Sequence, residues 1–213
     1  MAEHWHTHFA EDQPQYEWLG LGREGGSRGE FMAVFYKPDL FEVMAFDHFW
    51  LSDTREVMGS STWGNTVKRM VTWVRFKEKD GGQEFYFVNT HFDHQVQESR
   101  EKSAELVRER ITEFGTDLPI LLVGDFNAKA GDNRAYSILT EDGFLKDTWL
   151  TAKERRGEVV ATFNSFREKR PGDHRIDWIL GRGIETLWTE IITCQAEGQF
   201  PSDHFPVIAE IVW

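Results

Sequence analysis

Apolar residues in this chain come in runs of strand length, and that constrains its fold more than any other feature of the sequence. Residues 16–21 read as a short strand stopped by Gly22 and the Gly25-Gly26 pair. Residues 31–36 (Phe-Met-Ala-Val-Phe-Tyr) form a near-continuous apolar run ended by Lys37-Pro38, which predicts a strand buried on both faces. Residues 41–51 give a further strand. The runs 70–76 and 84–90 flank Asp80-Gly81-Gly82, a hairpin signal. Strands are also expected over 120–123, 175–180, 189–193 and 206–212, the last entered through Pro206.

Helical spacing is clear over 99–114. Ala104, Val107, Ile111 and Phe114 share one stripe, Arg, Lys and Glu fill the other face, and Gly115 follows as a cap. A second, shorter helix is expected over 135–141. Hairpins are too frequent for a purely parallel sheet. The pattern predicts α+β layers, with mixed sheets packed face to face and helices outside.

The 213 residues suit one domain, 1–213, and nine Trp with 17 Phe can fill its core. The formal net charge of -12 argues against tight, non-specific nucleic-acid binding, which rests on many Lys and Arg contacts to phosphates. It leaves room for a phosphate-ester enzyme in which a divalent cation neutralises charge. The single cysteine, Cys194, excludes an internal disulfide and a Cys-rich zinc cluster. The longest clean apolar run, 118–123, is too short to span a bilayer, and the first residues lack a signal-peptide pattern. These features favour a cytoplasmic location.

Four segments share one grammar, in which an apolar strand delivers polar residues at its end. They are Asn89-Thr90-His91, Gly124-Asp125-Phe126-Asn127, Arg175-Ile176-Asp177-Trp178-Ile179 and Ser202-Asp203-His204-Phe205-Pro206. Singly, Asp125 with Asn127 reads as a turn, and His91 as a satisfied core histidine. Asp177, set between Ile176 and Trp178, needs a partner to offset its burial. Jointly, two His, three Asp and one Asn at strand ends exceed what turns require.

Together these motifs resemble those of the endonuclease/exonuclease/phosphatase superfamily, in the family's order, over residue 16 to the end. The resemblance implies a four-layer α/β sandwich, two packed sheets flanked by helices, with its site at one edge. It implies Mg²⁺ or Mn²⁺, in keeping with a site rich in carboxylate and amide oxygens. Asp203 would touch the metal, with Asp125 and Asn127 beside it. Asp125 would hold or deprotonate the attacking water, and Asn127 would fix that water or a phosphate oxygen. His204 would bind the phosphoryl oxygen that gains charge, and Asp177 would orient His204. His91 would contact phosphate or serve as acid toward the leaving oxygen. Arg69 would pair with the substrate phosphate, or else form a surface salt bridge.

Family members usually begin with a strand ending in Asn and a later strand ending in Gln-Glu, whose Glu binds metal. Neither is found, so the first strands of the fold are expected to be absent. Glu3 and Glu11 lie near that place in a different context. Two other readings compete with a phosphate-ester hydrolase. Alternating His4, His6 and His8, with His91 and His94, would suit a zinc hydrolase; a degenerate relative would be a binding module. The expected substrate is a small phosphoester or a nucleic-acid end, with Trp63, Trp149, Phe163 and Phe166 as candidate stacking platforms.

Overall fold

The computed structural model describes residues 13–195 and 198–213. His4, His6, His8, Glu3 and Glu11 lie outside the described residues.

The described chain forms eleven strands, named in order β1 (Glu17–Leu19), β2 (Val34–Tyr36), β3 (Phe41–Trp50), β4 (Met70–Glu78), β5 (Glu84–His91), β6 (Ile120–Asp125), β7 (Lys146–Asp147), β8 (Glu154–Arg156), β9 (Asp177–Arg182), β10 (Glu185–Ile191) and β11 (Val207–Val212). The helices are α1 (Gln97–Glu113), α2 (Arg134–Thr140) and the four-residue α3 (Thr148–Thr151). Six strands make one mixed sheet in the order β3-β4-β5-β6-β9-β7, in which only the β5/β6 pair is parallel. A three-stranded sheet, β11-β10-β8, and the β1-β2 hairpin make the opposing layer.

Alternation along the central strands sorts side chains between the two faces. Tyr86 and Val88 of β5, Ile120 and Leu122 of β6, and Trp178 and Leu180 of β9 face α1 and α2, where they meet Ala104, Val107, Ile111 and Leu139. Phe114 stacks on Tyr86 with ring centroids 4.2 Å apart, so the stripe expected on α1 is the buried one. Phe85, Phe87, Leu121 and Ile179 point the other way, toward Val34 of β2 and Ile211 of β11. On the far side of the smaller sheet, Trp149 of α3 packs with Ile191 and Phe205. Two facing sheets with helices outside them are the α/β sandwich expected from the sequence.

Local chemistry sets the element ends. Gly81 and Gly82 turn the β4/β5 hairpin with φ of 84° and 73°. Helix α1 begins at Gln97, two residues before its expected start at 99, because Asp93 Oδ1 accepts the N–H groups of Gln95 and Val96 just before it. At α2, Asn133 caps the first turn by accepting the Ala135 N–H at 3.0 Å. Asn133→Ala should therefore lower stability by about 1 kcal/mol in urea unfolding.

One expectation needs correction. Only Val34–Tyr36 of the run 31–36 pairs as a strand, and Phe35 is 42% exposed while Val34 is buried. The run is an edge hairpin strand with one covered face. No helix among the described residues is long and apolar enough to cross a membrane.

Candidate active site

The rows of side chains that face the smaller sheets end in polar groups. His91 closes β5, Asp125 closes β6 and Asp177 opens β9. Because β5 and β6 run parallel, His91 lies beside Asp125 in register; because β9 is antiparallel, its first residue, Asp177, lies beside Asp125 on the other side. Three segments distant in sequence thus place one polar side chain each in a single row across the sheet.

Gly124 permits that row. Its φ is +150°, and a Cβ there would sit 1.9 Å from the carbonyl oxygen of Thr90 on β5. After β6 the chain turns sharply at Asn127, whose φ of 47° lies in the left-handed region that Asn tolerates. Asp125 Oδ1 accepts the Asn127 backbone N–H at 2.8 Å, and Asp125 Oδ2 accepts its side-chain amide at 3.2 Å. The same amide nitrogen lies 3.1 Å from both the Phe92 carbonyl oxygen and His91 Nε2.

His204 enters from the loop before β11. Its Nδ1 is 2.9 Å from Asp177 Oδ2, and its Nε2 is 3.9 Å from Asp125 Oδ2. Phe163 packs against its ring with centroids 5.1 Å apart, and the Phe205 N–H donates to the Thr162 carbonyl to hold the loop. The Thr162 hydroxyl accepts the N–H groups of Ile176 and Asp177, which seats the first residue of β9.

Burial opposes charge on Asp125, yet contact with His91, the Asn127 N–H and His204 holds its carboxyl below the usual range. Asp177 is pushed up by burial and by the charge of Asp125, against the pull of His204. Burial also disfavours a charged His204, but the hydrogen bond and charge of Asp177, with Asp125 and Asp203, raise its pKa above the ordinary imidazole value. For this coupled pair the direction that follows from the short contact is an imidazole that keeps its proton.

Asp125, Asp177 and His204 offer ligand atoms that lie within 4.8 Å of one another. Carboxylate oxygens dominate this set, and Asn127 adds an amide, a donor set suited to a hard divalent cation. Asp203 is not one of the three clustered residues. Its backbone carbonyl accepts the Asn164 and Ser165 N–H groups, and its charge acts on His204.

Arg69 is buried, and its Nη1 lies 3.7 Å from a carboxylate oxygen of the exposed Glu30. It is 3% exposed, just before β4, with Nη2 3.2 Å from His94 Nδ1. Burial and the neighbouring Arg23 lower its pKa, partly offset by Glu30, Asp93 and Asp125. Trp149 is not available for stacking, since it is buried in the small core under α3. Phe166, by contrast, is 62% exposed. Sequence reasoning missed Arg175 as a support. Its guanidinium is buried against Asp147 at 3.1 Å and also bonds Asp173, which ties the segment before β9 to β7 and α3. Its place next to Ile176-Asp177 in the motif was the available signal.

A cleft of about 510 Å³ runs from Asp125, Asp177 and His204 along the gap between the sheets. Its deeper walls are apolar, with Phe87, Leu121, Ile179 and Ile211 among them.

A sandwich of two facing sheets, with a row of carboxylate, imidazole and amide groups at the strand ends, defines a class of phosphoester-handling proteins. The chain belongs to the endonuclease/exonuclease/phosphatase family, whose sequence profile matches residues 2–204. Members of that superfamily are phosphoester hydrolases. A crystal structure of a family protein from Bacteroides thetaiotaomicron is 34% identical, with a TM-score of 0.91 over 99% of this chain and 80% of its own. A mannosyl-6-phosphatase from the same organism is also 34% identical, with a TM-score of 0.92 over 100% of this chain and 82% of its own. An uncharacterised protein of Acanthamoeba polyphaga mimivirus is 30% identical over 94% of this chain and 77% of its own length.

Proposed function

We propose that this protein is a Mg²⁺- or Mn²⁺-dependent hydrolase of small phosphate esters, sugar phosphomonoesters foremost. The observation that carries the reading is the single row of His91, Asp125 and Asp177 across β5, β6 and β9, closed by Asn127 and His204. The mannosyl-6-phosphatase likeness supports a sugar phosphate, and the net charge of -12 speaks against long nucleic-acid tracks.

A divalent ion, when bound, would neutralise phosphate charge and favour an ionised water; Asp125 and Asn127 would hold it at the strand-end cluster, and Asp203, outside that cluster, would reach it through water. Asp125 is ionised and fixed by Asn127, so it is placed to orient the attacking water and take up its proton. His204, kept protonated by Asp177, donates to a phosphoryl oxygen as that oxygen gains charge. His91 lies across Asp125 from His204 and is placed to give a proton to the leaving oxygen.

Assay of mannose 6-phosphate, a nucleoside monophosphate and a phosphodiester, with Mg²⁺, with Mn²⁺ and with EDTA, tests the reading. Turnover of the sugar phosphate that EDTA abolishes is expected. No hydrolysis of any of the three, or hydrolysis indifferent to EDTA, would overturn it.

The His204–Asp177 contact has a definite pH signature. A folded-state imidazole pKa above its unfolded value stabilises the protein fully below about 6.5, and the contribution is lost as pH rises through the raised folded value. Asp177→Asn should bring the His204 titration, followed by imidazole NMR shifts, to lower pH. The alkaline limb of the rate profile should move the same way. An unmoved titration would contradict the contact.

A further inference from the structure

A depression of about 380 Å³ lies beside the strand-end row, lined by Ala161, Phe163, Arg170, Pro171, His174 and Ile176. A short backbone bridge frames it. Val160 pairs with Pro171, the Ala161 N–H donates to the Arg170 carbonyl at 2.8 Å, and the Gly172 N–H donates to the Val159 carbonyl at 3.0 Å. Thr162, within this frame, is buried, and its hydroxyl accepts the N–H groups of Ile176 and Asp177. One wall of the depression and the first residue of β9 are therefore held as a single piece.

Phe163 is the partition between the depression and the catalytic cluster. Its ring centroid is 5.1 Å from that of His204, and the Arg170 guanidinium lies 5.7 Å from the same ring. A phosphoryl group held by His204 thus has the depression one side chain away. The lining has two kinds of surface. Ala161, Phe163, Pro171 and Ile176 are apolar, while Arg170 and His174 are exposed polar groups. Arg170 gives one N–H to the Phe163 carbonyl at 2.7 Å, which fixes its direction, and the rest of its five donors face solvent or a ligand. The imidazole of His174 adds a donor and an acceptor when neutral. An apolar floor with a few directed polar groups suits a ring that has both C–H and hydroxyl surface. A bare anion would leave the floor unused.

We infer that this depression seats the sugar of a sugar phosphate. Phe163 and Ile176 take the C–H face of the ring, and Arg170 and His174 bind its hydroxyl groups. The inference rests on the sugar-phosphate reading of the neighbouring site, and it names the side chains that set the preference among phosphate esters. A phosphate without a ring gains nothing from these groups, whereas a pyranose that fills the depression meets all of them.

The test is an NMR titration of the full chain in EDTA, following the imidazole signals of His174, which are identified by their loss in His174→Gln. Mannose 6-phosphate should shift these signals, and inorganic phosphate at the same concentration should not. Arg170→Gln should weaken mannose 6-phosphate binding by about fivefold or more and leave that of inorganic phosphate within about twofold. His174→Gln spares the bond to the Phe163 carbonyl and should act in the same selective way, read on the ligand's own signals. His174 signals that mannose 6-phosphate leaves in place would overturn the inference. So would an equal shift with inorganic phosphate, which would make the depression an anion site, or a loss in both variants that falls on the two ligands alike. Absence of hydrolysis on every substrate, with the His174 response intact, would count against the enzymatic reading alone, because this binding requires neither turnover nor metal.

Discussion

Asp125→Asn is expected to lower turnover of a phosphate ester by about 10²-fold or more while the protein stays folded. Asp125 accepts two hydrogen bonds from Asn127 and faces His91 Nε2 at 3.2 Å and His204 Nε2 at 3.9 Å. Its ionised form is favoured in spite of burial. An amide has nearly the same shape, so packing is kept. It brings an NH₂ against donors where a carboxylate oxygen accepted, and it removes the charge that orients water and a cation. Circular dichroism and the thermal midpoint should stay close to the parent, and the loss should fall on kcat. A variant within tenfold of parental kcat would remove Asp125 from the reaction.

Gly124→Ala should do its damage through the fold. The added methyl group would stand 1.9 Å from the Thr90 carbonyl oxygen, and φ of +150° is strained for any L side chain. Relief requires β5 and β6 to part at the level where His91 and Asp125 sit side by side. A destabilisation of more than about 3 kcal/mol is expected in urea unfolding, or failure to accumulate as folded protein. Any folded fraction should also be impaired in turnover, because the row of side chains is displaced. A midpoint close to that of the parent would show that the strands do not approach as closely as described.

Much of this architecture was legible because it follows from period and punctuation. Asp80-Gly81-Gly82 announced the β4/β5 hairpin, and the 3.6-residue stripe of Ala104, Val107 and Ile111 announced α1. The run 31–36 misled, because uninterrupted apolar residues do not distinguish a strand covered on both faces from an edge strand that exposes Phe35. β7, α3 and β8 were not visible. Lys146-Asp147 and Glu154-Arg155-Arg156 are too short and too charged to show alternation, and β8 exists only because β10 lies alongside it. β10 itself starts four residues before its expected position, at Glu185.

The site was legible to the extent that its residues travel in motifs. His91, Asp125, Asn127, Asp177 and His204 converge, since each motif couples a strand end to its polar residue. Residues that meet across the segment 22–31 carried no such mark. Arg23 and Glu30 are seven positions apart in a glycine-rich stretch, and only register puts them together beside Arg69. Thr162 supports Asp177 through a contact that no local spacing foretells.

Manganese binding followed by electron paramagnetic resonance tests the central claim most directly. The strand-end cluster should hold one Mn²⁺ per chain in competition with Mg²⁺, and Asp125→Asn should weaken that binding by about tenfold or more. A chain that binds no Mn²⁺, or one whose affinity is indifferent to the loss of Asp125, would contradict the account.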